Sequence, residues 1–273
     1  MGRAILAAVE GLEAARAERW WQTRAHLGRI DRAGRFIDDV GFALLFPKAN
    51  VEVPTLWDAT SDRPLRDVTD WNDADISRVW RWKDELPRRK LAWYGEFVRG
   101  RTSFLSPAMV ADLYPREGKP DDFGDAGLSD SAYRIARILL RSGPQSKAAL
   151  REALDIEGPG GTERFNRAVG ELGRALVVTG FGTQEEGNGW PSGVLELTVR
   201  VFRIPKQRNE DEARLRVARR FLDTMVFAQP YHLGNSFHWG AKAAREAFER
   251  LVAAGEAERE GSGYRLLSTA SRS

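Results

Sequence analysis

The chain contains no cysteine and only three histidines. It also has no long hydrophobic run. The missing cysteine excludes a disulfide framework, a thiolate nucleophile, and every zinc or iron–sulfur site that relies on thiolates. His26, His232 and His238 are too few for an imidazole cage. His232 and His238 also miss the i,i+4 spacing of a helical metal pair, so no metal is expected. No stretch approaches the roughly 18 apolar residues of a membrane helix. Glu10 and Glu13 fall where a signal peptide would keep its apolar core. These absences lead us to expect a soluble cytoplasmic protein with no membrane partner. The phosphate-binding, dinucleotide-binding, nucleophile-elbow and HExxH motifs are absent too, so neither a nucleotide nor any other cofactor is expected.

A charge excess is likewise missing: 42 basic residues face 39 acidic ones over 273 residues. The balance holds along the chain, with 20 basic and 18 acidic in 1–120, 12 and 13 in 121–210, and 10 and 8 in 211–273. Any affinity for a polyanion must therefore come from where the cations sit. Most of them are arginine, 35 against 7 lysines. Guanidinium forks suit phosphate and base edges, although a GC-rich genome gives the same bias.

Residues 1–27 read as one helix, with Ile5, Leu6, Val9 and Leu12 at helical spacing. Beyond Gly28 the text reads as irregular, with an apolar run over 36–46 that ends at Pro47. Residues 47–72 read as loop. Asp73 caps a helix expected to stop at Pro87, and 90–106 reads as an aromatic hairpin around Arg99-Gly100-Arg101. Ser106-Pro107 opens a short helix. A linker follows at 115–127.

From Ser129 the order is helix, helix, helix, strand, polar loop, strand, which is the plan of a winged helix. A degenerate copy recurs over 211–268, with a helix at 211–227, a break at QPYHLGN, a helix at 236–255 and a small hairpin. Repetition strengthens both readings. The expected fold is mainly α with small β-hairpins (α+β), built of tandem winged-helix (helix-turn-helix) units. The units are 1–120, a helical and hairpin region read as a distorted winged helix, 121–208, a winged helix, and 209–273, a winged-helix-like unit.

In such a unit the third helix enters the major groove. Here it offers Thr162, Arg164, Asn166, Arg167 and Arg174, residues able to address guanine and adenine edges. Glu163 and Glu171 oppose that role. The wing, with Glu185, Glu186 and Trp190, has no cation to grip phosphate. Further cations gather at Arg216, Arg219 and Arg220 on one helix and at Arg99 and Arg101 on the hairpin, where Trp93, Tyr94, Phe97 and Phe104 suit either base stacking or a packed core. The tryptophans Trp71, Trp80, Trp82 and Trp93 point to a core. Asp38 and Asp39, beside the apolar run, and Asp58 are carboxylates with the chemistry of a water activator or of a turn cap.

The segments FIDDVGFALLFPKANVEVPTLWDAT (36–60) and WRWKDELPRRKLAWYGEFVRGRTSFLS (80–106), followed by two winged-helix-like units, resemble the winged-helix DNA-binding superfamily of the AlkZ-like (azinomycin-resistance) DNA glycosylases. More closely they resemble its AlkZ-related proteins. The resemblance implies tandem winged helices, a double-stranded DNA partner and a link to DNA repair. Glycosylases of that superfamily excise alkylated bases with a Gln-x-Gln or Gln-x-Asp motif in the N-terminal part. Here the only glutamine before residue 145 is Gln22, followed two positions on by Arg24, so that motif is absent. Base excision would then fall to a carboxylate such as Asp38 or Asp39. Three functions stand side by side: a DNA-binding protein, a glycosylase with a diverged site, and a protein-interaction scaffold.

Overall fold

A computed structural model describes residues 2–70, 72–156, 158, 160–185, 191–205 and 209–267. The chain is α+β, mostly helical with small antiparallel sheets. α1 (Gly2–Arg19) is followed by α2 (Ile30–Val40), β1 (Phe42–Leu44), α3 (Leu56–Thr60), α4 (Ala74–Arg88), β2 (Trp93–Glu96), β3 (Thr102–Leu105) and α5 (Pro107–Leu113). Next come α6 (Asp130–Ser142), β4 (Gln145–Ser146), α7 (Lys147–Ala153), α8 (Gly161–Arg174), β5 (Val178–Gln184), β6 (Ser192–Leu197) and the single turn α9 (Thr198–Val201). The chain closes with α10 (Glu210–Met225), α11 (Pro230–Phe237), α12 (Ala241–Ala253), β7 (Ala257–Glu260) and β8 (Gly263–Leu266).

One arrangement occurs three times. α2-β1-α3-α4-β2-β3 forms a sheet of order β1-β3-β2, and α6-β4-α7-α8-β5-β6 forms one of order β4-β6-β5. In α10-α11-α12-β7-β8 the first strand is reduced to one residue, Ala228, bridging Tyr264. Each time the short first strand pairs with the last one, which ties the first helix to the hairpin.

Local chemistry sets the helix starts. Ser106, Ser129 and Ser146 each accept a backbone N–H from the first turn of their helix, and Asp73 accepts two, satisfying donors that the helix itself leaves open. α4 runs through Pro87 to Arg88.

The structure corrects four local readings. α1 ends at Arg19 and does not reach residue 27. The stretch beyond Gly28 is a helix, α2, with Ala33, Phe36, Ile37 and Val40 buried on one face. The apolar run hid that period because it continues past the helix end into β1. Gly41 makes the turn between them at φ +79°, a region that favours glycine. The break at QPYHLGN is α11, opened by Pro230, and α12 starts at Ala241. Within 47–72 lies α3, capped by Thr55.

Three apolar clusters hold the molecule. One fills the first repeat around Phe36, Trp57, Trp82 and Phe104, and one the second around Ile135, Leu139, Phe165 and Leu172. The largest joins the first hairpin to the third repeat through Phe42, Trp93, Phe221 and Phe237. The first and second repeats are also bonded directly. Trp93 Nε1 donates to Thr198 Oγ1 at 3.1 Å, and the Tyr94 N–H donates to Thr179 Oγ1 at 3.1 Å.

Candidate nucleic-acid interface

α8 is amphipathic. Phe165, Ala168 and Leu172 enter the core, which leaves Thr162, Arg164, Asn166 and Arg167 exposed on the early turns. The side chains of Arg164, Asn166 and Arg167 make no hydrogen bond or ion pair among the described residues, and the Thr162 hydroxyl accepts only a 3.4 Å contact from Arg151. Glu171, one of the two carboxylates on this helix, is occupied. Its oxygens lie 2.6 Å from the backbone N–H and the hydroxyl of Ser129, at the start of α6. Glu163 is exposed.

The remaining candidate arginines are committed elsewhere. Arg174 pairs with Glu96 at 3.0 Å. Arg216 pairs with Asp112 at 2.6 Å and Arg219 with Glu256. Arg220 donates to the Asp39 carbonyl at 2.7 Å and lies 3.5 Å from Asp223. Arg216 and Arg219 are therefore paired with carboxylates from elsewhere on the chain, and Arg220 with a carbonyl from α2 and with Asp223 of α10 itself.

The hairpin between β2 and β3 turns inward. Trp93 and Phe104 are fully buried and Phe97 nearly so. Phe97 stacks on Phe237, and its carbonyl lies 2.8 Å from His238 Nε2. The aromatics thus serve the core. Arg99 is half-buried at φ +54°, while Arg101 is exposed and unpaired among the described residues. Trp80 is exposed and Trp82 buried; Trp71, Glu186 and Trp190 lie outside the described residues. Glu185 is exposed.

The two aspartates of α2 differ. Asp38 is exposed. Asp39 accepts from Trp21 Nε1 at 2.6 Å and from Arg19 at 3.0 Å, and Arg19 also reaches Asp223 at 2.6 Å. This network fastens α1 to α2 and α10. Asp58 contrasts with both. Burial pushes its carboxyl above the ordinary range, against the Thr55 hydroxyl that donates to it at 2.7 Å. It borders a pocket of about 600 Å³ with Lys48, Arg66 and Ile76. Among the described residues no cluster of three or more His, Cys, Asp or Glu could hold a metal, and no helix is long and apolar enough to cross a membrane.

The model of a family described as AlkZ related matches residues 28–237. Among solved structures, the chain is similar in fold to the Streptomyces sahachiroi DNA glycosylase AlkZ, with a TM-score of 0.56 and 15% identity; the match covers 96% of this chain and 70% of that one. No curated protein matches the chain.

Proposed function

The chain belongs to the AlkZ-related family, and from that premise we propose that it is a double-stranded-DNA-binding protein of tandem winged helices that acts in DNA repair. Its units are 1–120, 121–208 and 209–273, each carrying one of the three repeats. The observation that carries the reading is the early face of α8, where the side chains of Arg164, Asn166 and Arg167 are exposed without partners among the described residues. The third helix of such a unit is the one that enters the major groove. A guanidinium there can bond guanine O6 and N7, and an asparagine adenine N6 and N7. Arg101 supplies a further cation, and Arg99 a half-buried one. Arg174, Arg216, Arg219 and Arg220 contribute to DNA only by exchanging a carboxylate for a phosphate. The fold likeness to a protein titled a DNA glycosylase supports the same partner.

The test is affinity for a duplex as a function of salt. Neutralising several phosphates gives a steep negative slope of log affinity against log salt. No binding at low salt, or a flat slope, overturns the reading and leaves a protein-interaction scaffold.

A second reading, base excision, is favoured by Asp58. A carboxyl whose pKa burial raises, beside an open pocket, is a candidate for proton transfer. Asp38 and Asp39 are the other carboxylates proposed for it. Duplex carrying N-alkylated purines, assayed for abasic sites with the parent chain and with Asp38→Asn, Asp39→Asn and Asp58→Asn, decides it. Release of base that vanishes in one variant assigns the residue, and no release from the parent removes the reading.

A further inference from the structure

The joint between the first and second repeats encloses a cavity of about 300 Å³. Trp80, Lys83 and Asp84 line it from α4, Tyr94 and Glu96 from β2, and Lys147 from the first position of α7. Most of these residues belong to the segments Trp80–Asp84 and Tyr94–Glu96 that make the sequence distinctive, and the α8 surface uses none of them. Trp80 is half-exposed, which opens the cavity to solvent at that rim.

The two lysines differ in their partners. Lys83 Nζ lies 2.7 Å from Asp84 Oδ2 and 4.9 Å from the Trp80 ring centroid. The Lys147 side chain lines the same cavity and has no hydrogen bond or ion pair among the described residues. Burial lowers its pKa, and the neighbouring Lys83 charge lowers it further, with Asp84 and Glu96 opposing. An amine desolvated beside a second cation gives up its proton more readily than an exposed lysine does.

We propose that this cavity binds an aldehyde, that Lys147 Nζ condenses with it to an imine, and that the aldehyde is the ring-opened sugar of an abasic position in DNA. The choice of DNA rests on the function proposed above. The Nζ lone pair attacks the C1′ carbonyl carbon, forming the C–N bond and a carbinolamine. Lys83, paired with Asp84, gives a proton to the carbinolamine hydroxyl, which leaves as water as the nitrogen lone pair forms the C=N bond, and the nitrogen's proton returns to the Lys83 amine. No oxidant or reductant enters the step.

The test uses the full chain with borohydride, which reduces an imine to a stable secondary amine. One arm contains duplex with an abasic site and the other free 2-deoxyribose 5-phosphate. The expected result is a covalent protein–DNA adduct that maps to Lys147. It should be lost in Lys147→Met and in Lys147→Arg, which keeps the charge, and retained in Lys242→Ala on α12. Circular dichroism confirms that each variant is folded. No adduct in either arm, or one that survives both Lys147 variants, overturns the proposal. An adduct with the free sugar phosphate alone overturns the DNA source. Anisotropy with intact duplex in the same samples separates that failure from a failure of DNA binding itself.

Discussion

Arg216 on α10 grips Asp112 on α5: its Nε lies 3.0 and 3.1 Å from the two carboxylate oxygens, and Nη2 lies 2.6 Å from Oδ1. The contact spans 104 residues of sequence. It turns the most conspicuous cationic stretch of the chain into part of a helix–helix joint. Both partners sit near the surface, so solvent screening limits the gain. Arg216→Ala is expected to cost about 0.5–1 kcal/mol in urea denaturation and to leave the salt slope of DNA binding unchanged.

Arg164 and Arg167 should behave in the opposite way. Each is exposed on α8 and has no carboxylate partner among the described residues. Arg164→Ala and Arg167→Ala should each lower the log–log salt slope by about 1 when the residue contacts a phosphate, or cost about 1–3 kcal/mol with relaxed sequence preference when it reads a base. Stability should be nearly unaffected. Anisotropy titrations at several salt concentrations distinguish these outcomes.

Gly173 brings the α8 backbone against the backbone of β2. A Cβ added there would lie 3.0 Å from the backbone nitrogen of Glu96 and 3.1 Å from its oxygen. Alanine gains about 0.5–1 kcal/mol over glycine within a helix, whereas a forced backbone shift costs about 1–3 kcal/mol. The clash wins. Gly173→Ala should lower the thermal midpoint, while Gly11→Ala on α1, with nothing within 4 Å, should raise it.

Trp93 and Thr198 are both fully buried and are joined by the indole N–H. Thr198→Val leaves that donor without an acceptor and should cost about 1–3 kcal/mol. Adding Trp93→Phe removes the orphaned donor, so the double variant should be less destabilised than the sum of the two single ones. A denaturation cycle measures the difference.

His232 gives stability a pH dependence. Its Nδ1 accepts the Gln229 N–H at 3.0 Å. Burial lowers its pKa below 6.5, with Arg16 and Arg99 adding to the effect. As pH falls through 6.5 the unfolded chain takes up the proton before the folded one does, so stability declines from there down to the folded-state pKa. His232→Asn should remove this component from the urea midpoint measured between neutral and mildly acidic pH.

Much of the local structure was legible in the sequence because its causes are local. Serines three residues ahead of a backbone donor start α5, α6 and α7, and the aromatic runs around Arg99-Gly100-Arg101 give the β2–β3 hairpin. α11 is hard to see in the sequence because its apolar period is short, with Pro230 as its one clear signal. The aspartates of α2 show the same divide. Sequence places Asp38 and Asp39 side by side, and only packing gives Asp39 to Arg19 and Trp21 while leaving Asp38 in solvent.

By itself the sequence settled that no thiolate chemistry operates here, that cations and anions nearly balance, and that any polyanion must be met by placed arginines. It could not say which arginines. Arg174, Arg216, Arg219 and Arg220 look as available as Arg164 and Arg167 when read along the chain. The distant groups they engage, Glu96, Asp112, Glu256 and the Asp39 carbonyl, lie 78, 104, 37 and 181 residues away. Charge pairing falls off over a few ångströms of space and is indifferent to sequence separation, so only the tertiary structure decided which guanidiniums remain open to a partner.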